Sequence, residues 1–497
     1  MLVQPLRILS TIGSARLCQD SSDGVRNQFP ASYAPKDDFS GHFEFGLKYE
    51  EIHLEFLSRL FAAVGPGPVE DWCRQEPFGQ YARRAGFLYE WLTGEHLDVP
   101  DLTNGGYIDA LSSTAYLTRT APLRNRRWRV NDNLPGTSSF CPLVRRTAAL
   151  RESLEYDPSV ALRELDRRFG TEILLHSVGW LTLKESRASF LIEHEQNQAD
   201  RIRRFASVIT EHCGKIDAPL SEHSLQILQT GILGKDAMGF GLRRSPIFVG
   251  QATLHEDIVH YVAPRFEDVP AMLAGLQEFE ISTRGAESML RAGALSFAFV
   301  YIHPMRDGNG RIHRFLINDT LLRDQAIPGD VILPVSASIA NSLELRADYE
   351  RTLEVFSRPF LRRYGAACHF GELTTAPDGT QTNFRFDAYE DAGPAWRFPD
   401  LTEHVLHVAR LVRHTISNQM AEEALILLRF RTAQDRIKEV LEMPDSDANR
   451  IIRSVKDNGW KFSGKLHAEY PQLENEVLAG RLLEAIRSAF EEDSCET

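Results

Sequence analysis

The densest chemistry in this chain lies in one stretch, His303-Pro304-Met305-Arg306-Asp307-Gly308-Asn309-Gly310-Arg311-Ile312-His313-Arg314. It follows Ser288–Ile302, whose second half is apolar nearly all round, the pattern of a buried helix. Pro304 stops that helix, because the residue before a proline is pushed out of the α region. Gly308 and Gly310 allow a sharp turn and expose backbone N–H groups where helical periodicity resumes at Arg311. Those unpaired donors, with the positive end of the helix dipole, make an anion site. Arg311 and Arg314, three residues apart on the first turn, oppose the dipole when alone and suit it once an anion is present. A polyphosphate fits both arginines and the amides. Asp307 is a hard oxygen ligand of the kind that holds Mg²⁺ against substrate phosphates. His303, at the end of the first helix, has the chemistry of a general base. Base, metal carboxylate, amide nest and two arginines in so short a span point to nucleotide phosphate chemistry.

The string HPMRDGNGRIHR resembles the signature of the Fic (filamentation-induced-by-cAMP, or Fic/Doc) family, H-P-F-x-[D/E]-G-N-G-R-x-x-R. Its one departure is Met305 in place of Phe, at an apolar anchor that Met can fill. The resemblance covers about residues 175–365. It implies a helical Fic core with a β-hairpin flap, and adenylyl transfer (AMPylation) from ATP to a protein hydroxyl. By the family pattern His303 deprotonates a Ser, Thr or Tyr hydroxyl, and the alkoxide attacks the α-phosphate. Asp307 then holds Mg²⁺, and Gly308, Asn309 and Gly310 line the anion hole. Arg311 and Arg314 hold the outer phosphates, so that pyrophosphate leaves. Phosphorylating relatives carry a lysine at the position of Gly310, so the glycine here points to nucleotidyl transfer.

The resemblance extends to three flanking sets of residues. The β-like run Gly241–Gly250 sits where the family has its flap, which pairs with an extended target segment by strand addition. Ile247 and Phe248 would clamp the target, the alternative being a hairpin that packs its own Ile and Phe inward. Ser189-x-x-x-Glu193 resembles the inhibitory motif [S/T]-x-x-x-E-[G/N], with His194 in place of Gly or Asn. There the glutamate would pair with Arg314 and occupy the cationic site that ATP needs; the alternative is an ordinary exposed helix residue. Near Val331-Ile-Leu-Pro334, Tyr349 is the candidate for the adenine pocket, or else a core tyrosine.

These residues need a mostly α scaffold, and the rest of the chain is consistent with one. The pattern divides into a mixed α/β region at 1–157, the Fic domain with its inhibitory helix at 158–365, a connector at 366–400, and a small helical domain at 401–497. In the first region Ala85–Leu92 reads as a helix ended by Gly94, and Arg126–Val130 as β-compatible. In the connector, Pro377-Asp-Gly379 reads as a turn. The 497 residues are 43% hydrophobic and 25% charged, which excludes disordered and low-complexity classes. Lys+Arg 56 against Asp+Glu 69 gives a net charge of −13, a poor match to a general nucleic-acid or anionic-membrane binder. Cys18, Cys73, Cys141, Cys213, Cys368 and Cys495 form no C-x-x-C pair, against a zinc site or disulfide framework and in keeping with a reducing cytoplasm. No apolar run has membrane-spanning length, and Gln4, Pro5 and Arg7 break any secretory h-region.

Two flanks invite a nucleic-acid reading. Arg124, Arg126, Arg127 and Arg129 surround Trp128. Near the C-terminus, Ala433–Glu442 and Asp447–Asn458 with Gly459–Lys465 as a wing would make a helix-turn-helix or winged-helix module, with Arg450, Arg453 and Lys456 along one face. The acidic remainder disfavours tight DNA binding, and a protein-interaction or packing role is preferred. The expected function is therefore an autoinhibited protein adenylyltransferase using ATP and Mg²⁺, acting on a protein hydroxyl and capable of self-modification. Two other readings share the motif: a de-AMPylase or transferase of another nucleotide, and a nucleotide-sensing DNA-binding regulator. Target and oligomeric state have no signature in the sequence.

Overall fold

The computed structural model describes residues 2–21, 24–193, 195, 199–234, 240–252, 257–329 and 331–491; His194 and Cys495 lie outside them. The architecture is mostly α, with four small sheets of two or three strands among the described residues. Two compact units divide the chain, Met1–Asp157 with Leu183–Gly329 and Val335–Val412, and Pro158–Thr182 with Asp330–Pro334 and Arg413–Thr497.

The first unit is built around Ser288–Ile302, where every residue from Met289 to Phe299 is buried, and its neighbour Asn309–Arg323, buried from Arg311 to Leu322. A helix apolar all round has no solvent face, so it takes the centre. The helix Thr402–His414 comes close at Gly293, where a Cβ would stand 2.7 Å from Val405 Cα. Both helices bury charge, and that charge is paired: Arg323 of the second reaches Asp319 at 2.9 Å and Glu280 at 2.6 Å, and Arg291 of the first reaches Glu280 at 3.2 Å. Around this pair lie Ala199–His212, Glu222–Leu233, Val269–Ser282 and Leu343–Tyr364. Two antiparallel hairpins complete it, Phe248–Ala252 with Asp257–Val262, and Cys368–Thr375 with Gln381–Phe386. The second turns at Pro377-Asp-Gly379, where Gly379 takes a φ of 80°.

Residues 1–157 belong to the same unit and pack their own aromatic core. Ile8–Gly13 lies parallel to Gly24–Pro30, which pairs antiparallel with Leu17–Ser21. The helix Gln80–Thr93 ends at Gly94 with a left-handed φ of 74°, the expected C′ glycine. The β reading of Arg126–Val130 is corrected: strands Leu123–Asn125 and Val130–Asp132 flank a turn at Arg126–Arg129. Trp128 is buried against Gly86 and donates to Glu90 Oε2 at 2.7 Å. Arg127 pairs with Glu90 at 3.0 Å, and Arg129 donates to backbone carbonyls. The tryptophan is thus buried and Arg127 and Arg129 are engaged within the fold, while Arg124 and Arg126 stay exposed, Arg124 over the ring of Tyr107 at 5.2 Å.

In the second unit Ala433, Ile437, Ile451, Ile452, Leu482 and Ile486 form a helical core. One helix runs Ala421–Val440 and the next Asp445–Asp457. No strand follows Phe386 among the described residues, and the segment read as a wing is a turn leading into the helix Gly464–Glu469. Arg450 pairs with Glu469, and the Lys456 ammonium lies over the rings of Phe430 and Phe490 at 5.1 and 5.6 Å. Two of the three cations proposed for a DNA-facing row are thus engaged within the unit. No helix among the described residues is long and apolar enough to cross a membrane.

Candidate active site

His303 caps the buried helix in the left-handed region, at a φ of 49°. A non-glycine residue there costs energy, and such strain gathers at functional sites. Its imidazole Nδ1 lies 3.3 Å from the Val300 carbonyl oxygen, which can only accept, so Nδ1 carries the proton and Nε2 is left as the base. Burial, with the Arg243 cation second, pushes the imidazole down to about 4 against the weaker upward pulls of Val300 and Glu193. His303 is therefore neutral at ordinary pH.

The turn after His303 is locked from within. Met305 is fully buried, as an apolar anchor should be. Met305 N–H donates to Asn309 Oδ1 at 2.9 Å, and Asn309 Nδ2 donates to the Met305 carbonyl at 2.7 Å. Of Asn309, it is therefore the backbone N–H and not the side chain that is left for the anion hole. Its amide is spent on the loop backbone, and only its backbone N–H opens the helix. Replacing Asn309 with Ala strands both Met305 groups, so melting is expected to fall by the equivalent of about 2 kcal/mol, read by thermal denaturation. Gly308 takes a φ of 92° at the N-cap, and the first helical bond runs from Ile312 N–H to the Gly308 carbonyl at 2.9 Å. The N–H groups of Asn309, Gly310 and Arg311 therefore point out of the helix start. Asp307 remains half exposed beside them, accepting from Gly308 N–H at 2.6 Å and from Arg311 at 3.1 Å.

Both motif arginines are held by carboxylates. Arg314 is fully buried; its guanidinium donates to Glu193 Oε1 at 2.8 Å, to Ser189 Oγ at 3.0 and 3.2 Å, and to the Ser189 carbonyl at 3.1 Å. Glu193 follows the helix Thr171–Ile192. Burial would raise its carboxyl, but Arg314 above all, with Arg311 and His303, holds it below its usual value. A Cβ added to Gly310 would lie 2.3 Å from Glu193 Oε1, so the carboxylate rests directly on the helix start. Arg311 reaches Glu195 at 2.8 Å, and its guanidinium lies 4.8 Å from the centre of the Phe190 ring.

His303, Gly310, Arg314, Glu193 and Tyr349 line one cavity of about 920 Å³. Tyr349 turns its hydroxyl to Arg314 at 3.5 Å and its ring to His313 and Phe297, so it stands at the arginine end of the cavity. The flap reading needs a larger correction. Val249 and Gln251 line the cavity, whereas Phe248 packs on Phe370 and Phe384 of the second hairpin. Ile247 is half-buried, and its carbonyl accepts from Ala263 N–H at 3.1 Å.

Four residues outside the motif readings also build the site. Arg243 donates to the His303 carbonyl at 2.7 Å and to the Pro264 carbonyl at 2.7 Å, tying the flap's base to the loop. Gln229 donates to the Asp307 carbonyl at 3.2 Å and accepts from Gly241 N–H at 2.9 Å. Glu185 accepts from Ser336 N–H at 2.7 Å; burial pushes its carboxyl up to about 7 against Ser336 and Arg314. Glu195 holds Arg311. Glu185 was legible, since Glu185, Ser189 and Glu193 recur every fourth residue on one helix face. Arg243, Gln229 and Glu195 have no local pattern to mark them.

Fold and site together define a helical domain in which His303 and the helix start at Gly310 line one cavity. The model of the Fic/DOC family matches residues 220–321, which include the whole loop from His303 to Arg314. The protein adenylyltransferase fic-1 of Caenorhabditis briggsae is 33% identical over 127 residues, and that of Caenorhabditis elegans 32% over 125. Each match covers 24% of this chain and 21% of the relative, so the chain spans about a fifth of the length of the curated relatives it matches. A crystal structure of a Fic family protein from Desulfovibrio desulfuricans G20 is similar at a TM-score of 0.38 and 17% identity, over 63% of this chain and 90% of that one. Over residues 220–321 the chain carries a domain that matches the Fic/DOC family.

Proposed function

We propose that this chain is an autoinhibited protein adenylyltransferase that moves AMP from ATP to a Ser, Thr or Tyr hydroxyl of a protein. The observation that carries the reading is the Glu193 carboxylate, 2.8 Å from Arg314 and resting on Gly310, in a cavity that His303 also lines. The name and activity of the two nematode relatives support the same chemistry. His303 Nε2 takes the proton of the acceptor hydroxyl, and that oxygen bonds to the α-phosphorus as the bond to the β-phosphate oxygen breaks. Pyrophosphate leaves, and the imidazolium returns its proton to solvent. The amides of Asn309, Gly310 and Arg311 hold phosphate oxygens, and Arg314 holds the outer phosphates once Glu193 releases it. Tyr349, with its hydroxyl at Arg314, lines the outer-phosphate end of the cavity.

Asp307 fits Mg²⁺: it is an exposed hard oxygen donor beside the phosphate site. No cluster of three or more His, Cys, Asp or Glu forms a closed metal cage among the described residues. Mg²⁺ suits one or two carboxylates with substrate phosphates, and when bound it supplies charge neutralisation. A cytoplasmic location fits the five described cysteines, all unpaired.

The test is intact mass of the Glu193→Gly chain after incubation with Mg²⁺ and each nucleoside triphosphate. A gain of one AMP with ATP is expected. A gain from another nucleotide, or none, overturns the assignment to ATP.

The pH dependence follows from His303. Its folded value of about 4 lies below the ordinary 6.5, so the base form persists as pH falls, and the acid limb of kcat/KM is expected near 4 rather than 6.5. Between those values the unfolded histidine binds a proton that the folded one does not. Stability therefore declines as pH falls through this window, by about 1.4 kcal/mol per unit for each such group. His404 and His313, also buried and both lowered to about 3, add to the same slope. Initial rates and melting curves from pH 7 to 4 check both.

A further inference from the structure

Residues 366–400 read as a connector in the sequence, and the function proposed above uses none of them. In the fold they grip the flap at four points. Flap residues Val249 and Gln251 line the cavity, and Phe248 turns away to the opposite side. There its ring meets Phe370 and Phe384 at centroid distances of 5.2 and 4.7 Å, and those two rings meet each other at 5.5 Å. Asp378, at the tip of the second hairpin, accepts from Arg244 N–H at 2.9 Å. At the end of the other flap strand, Trp396 Nε1 donates to the Val262 carbonyl at 3.1 Å. Arg265, just beyond it, pairs with Glu390 at 2.6 Å.

A lone two-stranded hairpin is marginally stable in water. A strand that must accept an incoming segment by backbone pairing gains affinity when it is held in place beforehand. We propose that residues 368–397 are a positioning brace for the flap, setting the strand Phe248–Ala252 over His303 and so governing affinity for the protein acceptor. Phe248 is then a positioning residue, and Val249 and Gln251 are the acceptor-facing ones. The acceptor half of this inference rests on the adenylyltransferase reading; the brace itself does not.

The test uses the full chain carrying Glu193→Gly, with and without Phe370→Ser plus Asp378→Ala, two changes outside the buried core. The acceptor is a second copy of the chain carrying His303→Asn, titrated with labelled ATP, and nucleotide affinity is read with a fluorescent ATP analogue. The expected result is a rise in acceptor KM of about tenfold with kcat and nucleotide Kd held within about twofold, and amide exchange about tenfold faster at 248–252 and 257–262. Phe370→Tyr with Asp378→Asn, which keeps a ring and an acceptor oxygen, should restore both. Unchanged flap exchange overturns the brace. Faster exchange with kcat, KM and nucleotide Kd all worsening together overturns the positioning role in favour of general loss of structure. If the Glu193→Gly chain labels nothing, the adenylyltransferase reading fails, while flap exchange still decides the brace.

Discussion

Removing the Glu193 carboxylate is expected to raise label transfer from ATP by about 10- to 100-fold, the span expected if ATP no longer has to break a charged hydrogen bond worth about 1.5–3 kcal/mol. In the structure Arg314 spends its guanidinium on Glu193 and Ser189, so a phosphate arriving at the helix start meets a neutralised cation. Glu193 also fills the space over Gly310 where a phosphate oxygen would sit. Glycine at position 193 removes both the charge and the bulk, and because the residue lies in the turn past Ile192 it costs little helix. Glu193→Gln separates the two effects: it keeps the bulk and a weaker neutral bond, so an intermediate rate is expected. The measurement is initial rate of labelling under saturating Mg²⁺-ATP. Equal rates for wild type and Glu193→Gly would sink the inhibitory assignment.

The second large effect is at His303. Loss of the imidazole is expected to cut transfer by about a thousandfold, the middle of the range for a positioned general base, with nucleotide affinity changed by less than about threefold. Binding survives because the phosphate contacts are backbone amides and Arg314, none of which needs the ring. The left-handed backbone at 303 complicates the obvious variant. Alanine is strained there, at a cost of about 1–3 kcal/mol, whereas asparagine adopts this region more readily. His303→Asn should therefore melt close to wild type yet be as inactive as His303→Ala. Parallel loss of nucleotide binding and melting temperature in His303→Asn would mean the ring is structural and not the base.

Much of the site was readable because it is local. His303 to Arg314 is one helix end, one turn and one helix start, and each feature depends on residues within a few positions. Pro304 breaks the helix, Gly308 takes a positive φ, and the spacing of Arg311 and Arg314 puts them on one turn. Ser189 and Glu193 were readable for the same reason, as neighbours on a helix face, although their meeting with Arg314 spans over a hundred residues. Which part of Asn309 is free was not readable, because a side-chain amide serves a phosphate or its own loop equally well, and only the position of Met305 decides which. Phe248 went astray because alternation in a strand says which residues share a face but not which face meets the cavity.

By itself the sequence determined the chemistry available here: a histidine base, a glycine-built anion site, two arginines and a carboxylate suited to a metal, on a mostly helical scaffold. Those properties belong to residue types and short spacings, which local backbone geometry carries into any fold. Tertiary structure decided how they are used. It set Glu193 on Arg314, turned Phe248 away from the cavity onto a second hairpin, placed Arg243 and Gln229 beneath the loop, and buried Trp128 with Arg127 and Arg129 engaged around it. Each is a contact between segments far apart in the chain. Such contacts are chosen by burial and packing of the whole unit, to which no short stretch of sequence is a guide.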